Sequence, residues 1–225
     1  MGKRFHVAVV GAGHAGVEAA FTLAEGGAKV TLFSDEPVLP YHRPSLAAVA
    51  FGQTNPNSIA IKPKAAYAEA GIDLRHKAAT EIDFHAQTVN GDTFDVLLLA
   101  TGSRPTVPPF KGEQGRIYTL WSLADALAIR EIAAPGKALT VIGGGFVGLE
   151  SALRAAESGL RVTVVDSSPG LVKGMLGGGE PTLRRMIEAK GIKVNVGAEV
   201  TAITAKGIQL ADGREIEDDL LLCAT

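Results

Sequence analysis

Cysteine is almost missing from this 225-residue chain. The single one, Cys223, excludes an internal disulfide, a CxxC redox pair and a multi-thiolate metal site. Because it sits in an apolar run, it reads as a small core residue. Charge of either sign is not in excess either. Lys and Arg number 22 against 24 Asp and Glu, a formal net charge of −2. That balance argues against a nucleic-acid or anionic-membrane partner held by bulk charge. No apolar run approaches the roughly 18 residues of a spanning helix, and no charged-then-apolar leader opens the chain. The five histidines, His6, His14, His42, His76 and His85, show no metal-ligand spacing. The expectation is a globular cytoplasmic protein with no metal, no membrane and no nucleic acid.

Glycine is what the chain has in excess, 27 of 225 residues, against an average of about 7%. Many of these glycines belong to a repeat. Residues 7–37 read VAVVGAGHAGVEAAFTLAEGGAKVTLFSDEP and residues 139–169 read LTVIGGGFVGLESALRAAESGLRVTVVDSSP. They align without a gap at an offset of 132, with 12 of 31 positions identical. A second echo links residues 70–101 with residues 190–225. Two copies are too few for a solenoid and fit two tandem domains of one plan.

Each copy opens as strand, glycine loop, helix, strand. Val7 to Val10 and Leu139 to Ile142 are near-continuous apolar runs, as expected of strands covered on both faces. Helical spacing follows, with Gly26-Gly27 and Gly159 as stops. Later, Lys64 to Ala70 predicts a helix and Ile72 to Arg75 a strand. The stretch 79–101, turning at Asn90-Gly91, predicts short antiparallel strands. Ser122 and Asp125 predict a capping box opening a helix over about 122–133. The Gly- and Pro-bearing stretch from Thr101 to Phe110 is the best linker. The fold class expected is α/β, two tandem Rossmann-like dinucleotide-binding domains, each a parallel sheet with a small antiparallel β-meander. The boundaries expected are 1–108 and 109–225.

The loops carry the chemistry. Gly11-Ala-Gly13-His14-Ala15-Gly16 follows a strand and opens a helix, as does Gly143-Gly-Gly145-Phe146-Val147-Gly148. In such a loop the first glycine permits the tight turn and the second lets a pyrophosphate approach. The third lets helix and strand pack closely. The helix N-terminus then offers free N–H groups and a positive dipole end. At the end of the following strand, Asp166 is placed to accept the adenosine ribose hydroxyls and to repel a 2′-phosphate. Ser167 and Ser168 follow with no Arg, so NAD is expected over NADP. In the first copy that position is Ser34, and either Asp35 or Glu36 takes the ribose. Gly174, Gly177, Gly178 and Gly179, just after Lys173, read as a connector, since no strand precedes them and no GK[ST] is present.

Taken together these residues resemble the two-dinucleotide-binding flavoproteins, the FAD-dependent pyridine nucleotide-disulfide oxidoreductases. Gly11 to Gly16 looks like the FAD fingerprint, Leu98-Leu-Ala100-Thr101-Gly102 like the ATG motif, and Gly143 to Glu150 like the NAD fingerprint. Pro40-Tyr-His-Arg43-Pro44 resembles a segment of rubredoxin reductases, ferredoxin reductases and the N-terminal part of NADH-dependent nitrite reductases, which implies that Arg43 lies near the FAD phosphates or adenosine. The resemblance implies FAD and NAD as cofactors. Hydride would pass from NADH to FAD, and electrons onward to a rubredoxin- or ferredoxin-like carrier or a fused reductase module. It also implies that Glu150 faces the nicotinamide, the one candidate catalytic group. An oligomer is compatible with this family. The rival expectation is a nucleotide-binding or regulatory module with little turnover.

Two departures from the family pattern stand out. The Lys expected after the RPxLS segment is replaced in the run Ser45-Leu-Ala-Ala48, which removes the family partner of Glu150. The final Leu222-Cys-Ala-Thr225 looks like a second ATG motif lacking its glycine. This implies a C-terminally truncated fragment, with FAD held weakly and an apolar strand left exposed near Leu97 to Leu99.

Overall fold

The fold is given by a computed structural model that describes residues 5–225. In chain order the elements are β1 (His6–Val10), α1 (His14–Glu25), β2 (Lys29–Ser34), α2 (Leu46–Ala50), α3 (Lys64–Glu69), β3 (Ile72–His76), β4 (Ile82–Asp83), β5 (Thr88–Val89), β6 (Asp92–Thr93) and β7 (Val96–Leu99). They continue with β8 (Lys111–Gly112), β9 (Ile117–Tyr118), α4 (Leu123–Ile132), β10 (Ala138–Ile142), α5 (Phe146–Glu157), β11 (Arg161–Asp166), α6 (Glu180–Glu188), β12 (Lys193–Val196), β13 (Val200–Thr204), β14 (Gly207–Leu210), β15 (Glu215–Glu217) and β16 (Leu220–Cys223).

The chain divides into two compact units. The first takes residues up to Arg43 together with Asn57–Ser103, and the second takes Pro44–Pro56 and Arg104–Thr225. The division after Ser103 lies close to the expected one at 108. The assignment of Pro44–Pro56 to the second unit departs from the sequence expectation. Its cause is packing: all five residues of α2 are buried, with α4 and α5 as the neighbouring helices. Ser158 Oγ donates to Phe51 O at 2.7 Å, and Gln53 Nε2 donates to Arg154 O at 3.0 Å. Burying Leu46 and Val49, 2% and 0% exposed, contributes about 1.5–3 kcal/mol each.

In the first unit four parallel strands run in the order β3-β2-β1-β7. Val7 and Val9 of β1 pack with Val17 and Ala20 of α1 on one face, while Ala8 and Val10 pack with Phe33, Val89 and Phe94 on the other. Both faces are therefore covered, as the continuous apolar run implied. A three-stranded antiparallel meander, β4-β5-β6, supplies Val89 and Phe94. Its tight turn places Asn90 at φ 49° and Gly91 at φ 85°, the left-handed pair an Asn-Gly hairpin uses. Of the stretch expected to be short antiparallel strands, β7 differs: it joins the main sheet parallel to β1. Its four apolar residues in a row suit a covered sheet rather than an alternating hairpin.

The second unit repeats this plan with additions. Five parallel strands run β12-β11-β10-β16-β9, and a second sheet runs β15-β14-β13-β8. Phe110, Ile142, Val165, Ile203, Ile208 and Leu221 form a core between them, and Cys223 is buried there. The capping box is present: Asp125 N donates to Ser122 Oγ at 3.1 Å, and Ser122 N donates to Asp125 Oδ2 at 2.9 Å. No helix of the described residues is long and apolar enough to cross a membrane.

Candidate functional site

Each parallel sheet brings a glycine loop to the C-terminal end of its first strand, and the two loops are built alike. Gly11 N donates to Phe33 O at 3.0 Å and Gly143 N to Val165 O at 2.8 Å, hanging each loop on the neighbouring strand. The first helical bonds are Val17 N to Gly13 O and Leu149 N to Gly145 O, both 2.9 Å. A Cβ on Gly16 would stand 1.8 Å from Gly11 O, and one on Gly148 would stand 2.0 Å from Gly143 O. A Cβ on Gly11 would meet Ala100 O at 2.2 Å, and one on Gly143 would meet Ala224 O at 2.5 Å. The first and third glycines are thus consumed by close backbone packing. Ala100, with Thr101 and Gly102 following, is the strand end that presses on the first loop, through Ala100 N to Val10 O at 2.8 Å.

The middle glycines differ from their neighbours. Gly13 and Gly145 have extended backbones, with φ −73° and −79°, and no atom lies within 4 Å of where a Cβ would stand. That open space faces a helix N-terminus with no side-chain cap and no acidic residue in its first turn. Unpaired N–H groups and the positive dipole end make such a position suited to an anion. A dinucleotide pyrophosphate fits this cradle in both units.

The ribose ends of the cradles are not alike. In the second unit Asp166 accepts from Gly144 N at 2.6 Å and from Ser168 N at 2.7 Å. It lines a cavity of about 650 Å³ with Gly143, Gly145, Ser167, Ser168 and Lys173. In the first unit a small pocket is lined by Ala12, Ser34, Asp35, Glu36, Tyr41 and Arg43 among others. Glu36 accepts from Tyr41 OH and from Arg43 Nη2, each at 2.7 Å, and the Arg43 guanidinium lies 5.3 Å over the Tyr41 ring. Asp35 is exposed beside them. His14 opens α1, next to exposed Ala15, and its Nε2 lies 2.8 Å from His42 Nδ1. Partial burial, then His42 and Arg43, lower the His14 pKa below the usual value.

Glu150 lies one turn beyond Phe146 on α5. Both line a groove of about 510 Å³ with Leu149, Leu153, Val172 and Leu176. Phe146 and Val147 are exposed, at 64% and 55%. Ala48, where the family carries Lys, is buried in α2. Glu150 instead has Arg154 Nε at 3.9 Å, one turn along the same helix. Lys173, which the sequence places in a glycine-rich connector, lines the cavity of Asp166 in the structure. The usable signal was its spacing, seven residues beyond Asp166. Among the described residues no group of three or more His, Cys, Asp or Glu is arranged to hold a metal ion.

The family model of the pyridine nucleotide-disulphide oxidoreductases matches residues 5–225. The chain belongs to this family. Among its relatives is terpredoxin reductase of Pseudomonas sp, 33% identical over 98% of this chain and 58% of the relative. Another is the ferredoxin–NAD(+) reductase component of the biphenyl dioxygenase system of Paraburkholderia xenovorans (strain LB400), 30% identical over 96% of this chain and 56% of the relative. Among solved structures, putidaredoxin reductase in its covalent complex with putidaredoxin matches with a TM-score of 0.89 and 28% identity, covering 98% of this chain and 58% of that one. The chain therefore spans under two thirds of the length of these pyridine nucleotide-disulphide oxidoreductase relatives.

Proposed function

We propose that this chain forms the dinucleotide-binding part of an NADH-dependent, FAD-containing oxidoreductase of the cytoplasm. The single observation that carries the reading is the doubled cradle. In both units the middle glycine faces open space at a bare helix N-terminus, while its flanking glycines are spent on packing. The first compact unit, the residues up to Arg43 with Asn57–Ser103, serves FAD, and the second, Pro44–Pro56 with Arg104–Thr225, serves NAD. In the first, the α1 N-terminus with Gly11, Gly13, His14, Ala15 and Gly16 takes the pyrophosphate. Asp35 accepts from the ribose, while Glu36 is fixed by Tyr41 and Arg43. Ala100, Thr101 and Gly102 wall the loop. In the second, Gly143, Gly145, Phe146, Val147 and Gly148 take the pyrophosphate, and Asp166 takes the ribose hydroxyls with the lone pairs left by Gly144 and Ser168.

The bound cofactors would supply the redox chemistry, with hydride passing from NADH to FAD and electrons then leaving for a rubredoxin- or ferredoxin-like carrier or a fused reductase module. The chain itself positions them. Glu150 lines the groove beside Phe146, apart from the cavity that holds Asp166, and its assignment to the nicotinamide end rests on its place in the second fingerprint. The names of the relatives, a terpredoxin reductase and a ferredoxin–NAD(+) reductase component, support this choice of acceptor. A regulatory module with little turnover is the second reading. Buried Ala48, at the position of the family Lys, favours it.

Isothermal titration of the purified chain with NADH and with FAD tests the reading. NADH is expected to bind, and FAD to bind weakly or not at all, since Glu36 is already held by Tyr41 and Arg43 while Asp166 opens onto the cavity of the second cradle. Absence of NADH binding would refute the assignment. Flavin absorbance bleached by NADH in a chain loaded with FAD would separate the enzyme from the regulatory module.

A further inference from the structure

We propose that the second unit carries a further binding site at the start of its parallel strands, a cleft that takes a small organic monoanion with an apolar body, such as a medium-chain carboxylate. The cleft shares no lining residue with the cavity of Asp166. β11 begins at the cleft with Arg161 and ends at the cradle with Asp166, so about 17 Å of strand separates the two.

The cleft follows from the way one sheet face changes along its length. Side chains two apart on a strand share a face, so Val165, Thr163 and Arg161 of β11 stand on one side. On β12, Asn195 pairs with Val165 and Lys193 with Thr163. At the Val165 end this face is core, packed with Ile142, Ile203 and Ile208. Toward Arg161 it turns polar, and a polar row cannot be closed over by apolar partners without cost. β15, the edge strand of the second sheet, supplies the other wall through Ile216. A cavity of about 710 Å³ remains between them, a volume that suits a small molecule. Leu160 and Val162, 6% and 3% exposed, give it an apolar lining.

The charges decide the class of ligand. Arg161, Lys190 and Lys193 line the cleft, are exposed, and join no ion pair among the described residues. Arg161 uses only its Nε, which donates to Gly136 O at 3.1 Å. Arg214 is already committed, to Asp212 Oδ2 at 2.7 Å and to Asn195 Oδ1 at 3.3 Å. The carboxylates of the cleft, Glu215 and Glu217, both belong to β15 and pair with none of these cations. Opposite charges that line one cleft without closing on each other leave room between them. A single carboxylate gains charge-assisted hydrogen bonds on the cationic side. A polyanion meets Glu215 and Glu217 as well, which counts against it. The buried Leu160 and Val162 reward an apolar body over a bare ion.

Calorimetric titration of the whole chain with octanoate, octylammonium and inorganic phosphate tests this. Octanoate is expected to bind saturably at one site, and the other two at least tenfold more weakly. Butanoate should also bind at least tenfold more weakly, because it buries fewer methylenes. Lys193→Gln should weaken octanoate about tenfold, and Lys193→Arg should keep the wild-type affinity. The side chain is exposed, so the melting midpoint of both variants should stay unchanged. Phosphate binding as tight as octanoate, or octanoate binding that a Lys190→Gln and Lys193→Gln double variant leaves intact, would overturn the proposal. So would the absence of any saturable octanoate binding. None of these arms uses NADH or FAD, so their outcome stands apart from that of the proposed function.

Discussion

β7 and β16 are the same piece of sequence in two settings. Val96-Leu-Leu-Leu-Ala-Thr101 and Leu220-Leu-Leu-Cys-Ala-Thr225 occupy the same place in their sheets, beside the first strand of each unit. β16 has β9 on its far side, and all four of its residues are buried. β7 ends its sheet, and Val96 and Leu99 are 47% and 58% exposed. An apolar run therefore records what a strand is suited to meet, not what covers it. The ribose ends teach the same lesson. One loop-and-strand pattern leaves Asp166 facing a cavity with Ser167 and Ser168, and leaves Glu36 held by Tyr41 and Arg43.

The largest effects should come from changes that treat both units alike. Gly16→Val drives a methylene into Gly11 O, and Gly148→Val does so at Gly143 O. Neither neighbour is a flexible side chain, so each change should cost about 4 kcal/mol or more. Circular-dichroism melting reads it, and an unchanged midpoint would show that the loops are slack. Gly13→Val and Gly145→Val enter open space on extended backbone. They should leave melting within about 0.5 kcal/mol and weaken nucleotide binding at least tenfold, about 1.4 kcal/mol. The first should act on FAD in a chain that carries it, the second on NAD. Loss of both ligands from either change would show a fold failure instead.

Smaller effects should separate the units. Leu99→Lys places a charge on the exposed edge of β7 and should reduce concentration-dependent self-association in gel filtration, since uncovered apolar edges invite pairing. An unchanged elution profile would show that this edge is not the contact. The smallest effect expected is a pH dependence of the first cradle alone. His14 faces His42 and Arg43, the latter paired with Glu36, and its pKa is lowered in the free chain. Without ligand, this contributes stability that is present above the ordinary histidine value of about 6.5 and lost as pH falls below it. A diphosphate at α1 would draw the proton back, so binding takes up a proton and FAD affinity should rise severalfold as pH falls from neutrality. Replacing His14 by Asn should flatten that slope and leave NAD binding unaffected.

What the sequence disclosed was what short-range chemistry dictates. The loops, the Asn90-Gly91 hairpin and the Ser122–Asp125 box are each determined by a few adjacent residues, and each stands as expected. What it withheld depended on distant partners. Nothing near Leu46–Ala50 says that α4 and α5 are its neighbours. Nothing near Lys173 says that Val172 will bond to Gly144, 28 positions earlier. Glu36 and Asp35 are equivalent in the sequence. Only the approach of Tyr41 and Arg43 tells them apart.

The excursion through Pro44–Pro56 has a consequence for modularity. The chain crosses between units after Arg43, after Pro56 and after Ser103. A gene segment encoding residues 104–225 alone would carry the second glycine cradle whole, yet omit the short helix that covers α4 and α5. Such a graft would arrive with a bare apolar seam, and a graft of the first unit would arrive carrying a loop whose buried side chains have lost their host. Neither half is a cassette. A transplant that respects the architecture would have to cut three times and return thirteen residues, Pro44 to Pro56, to the second half.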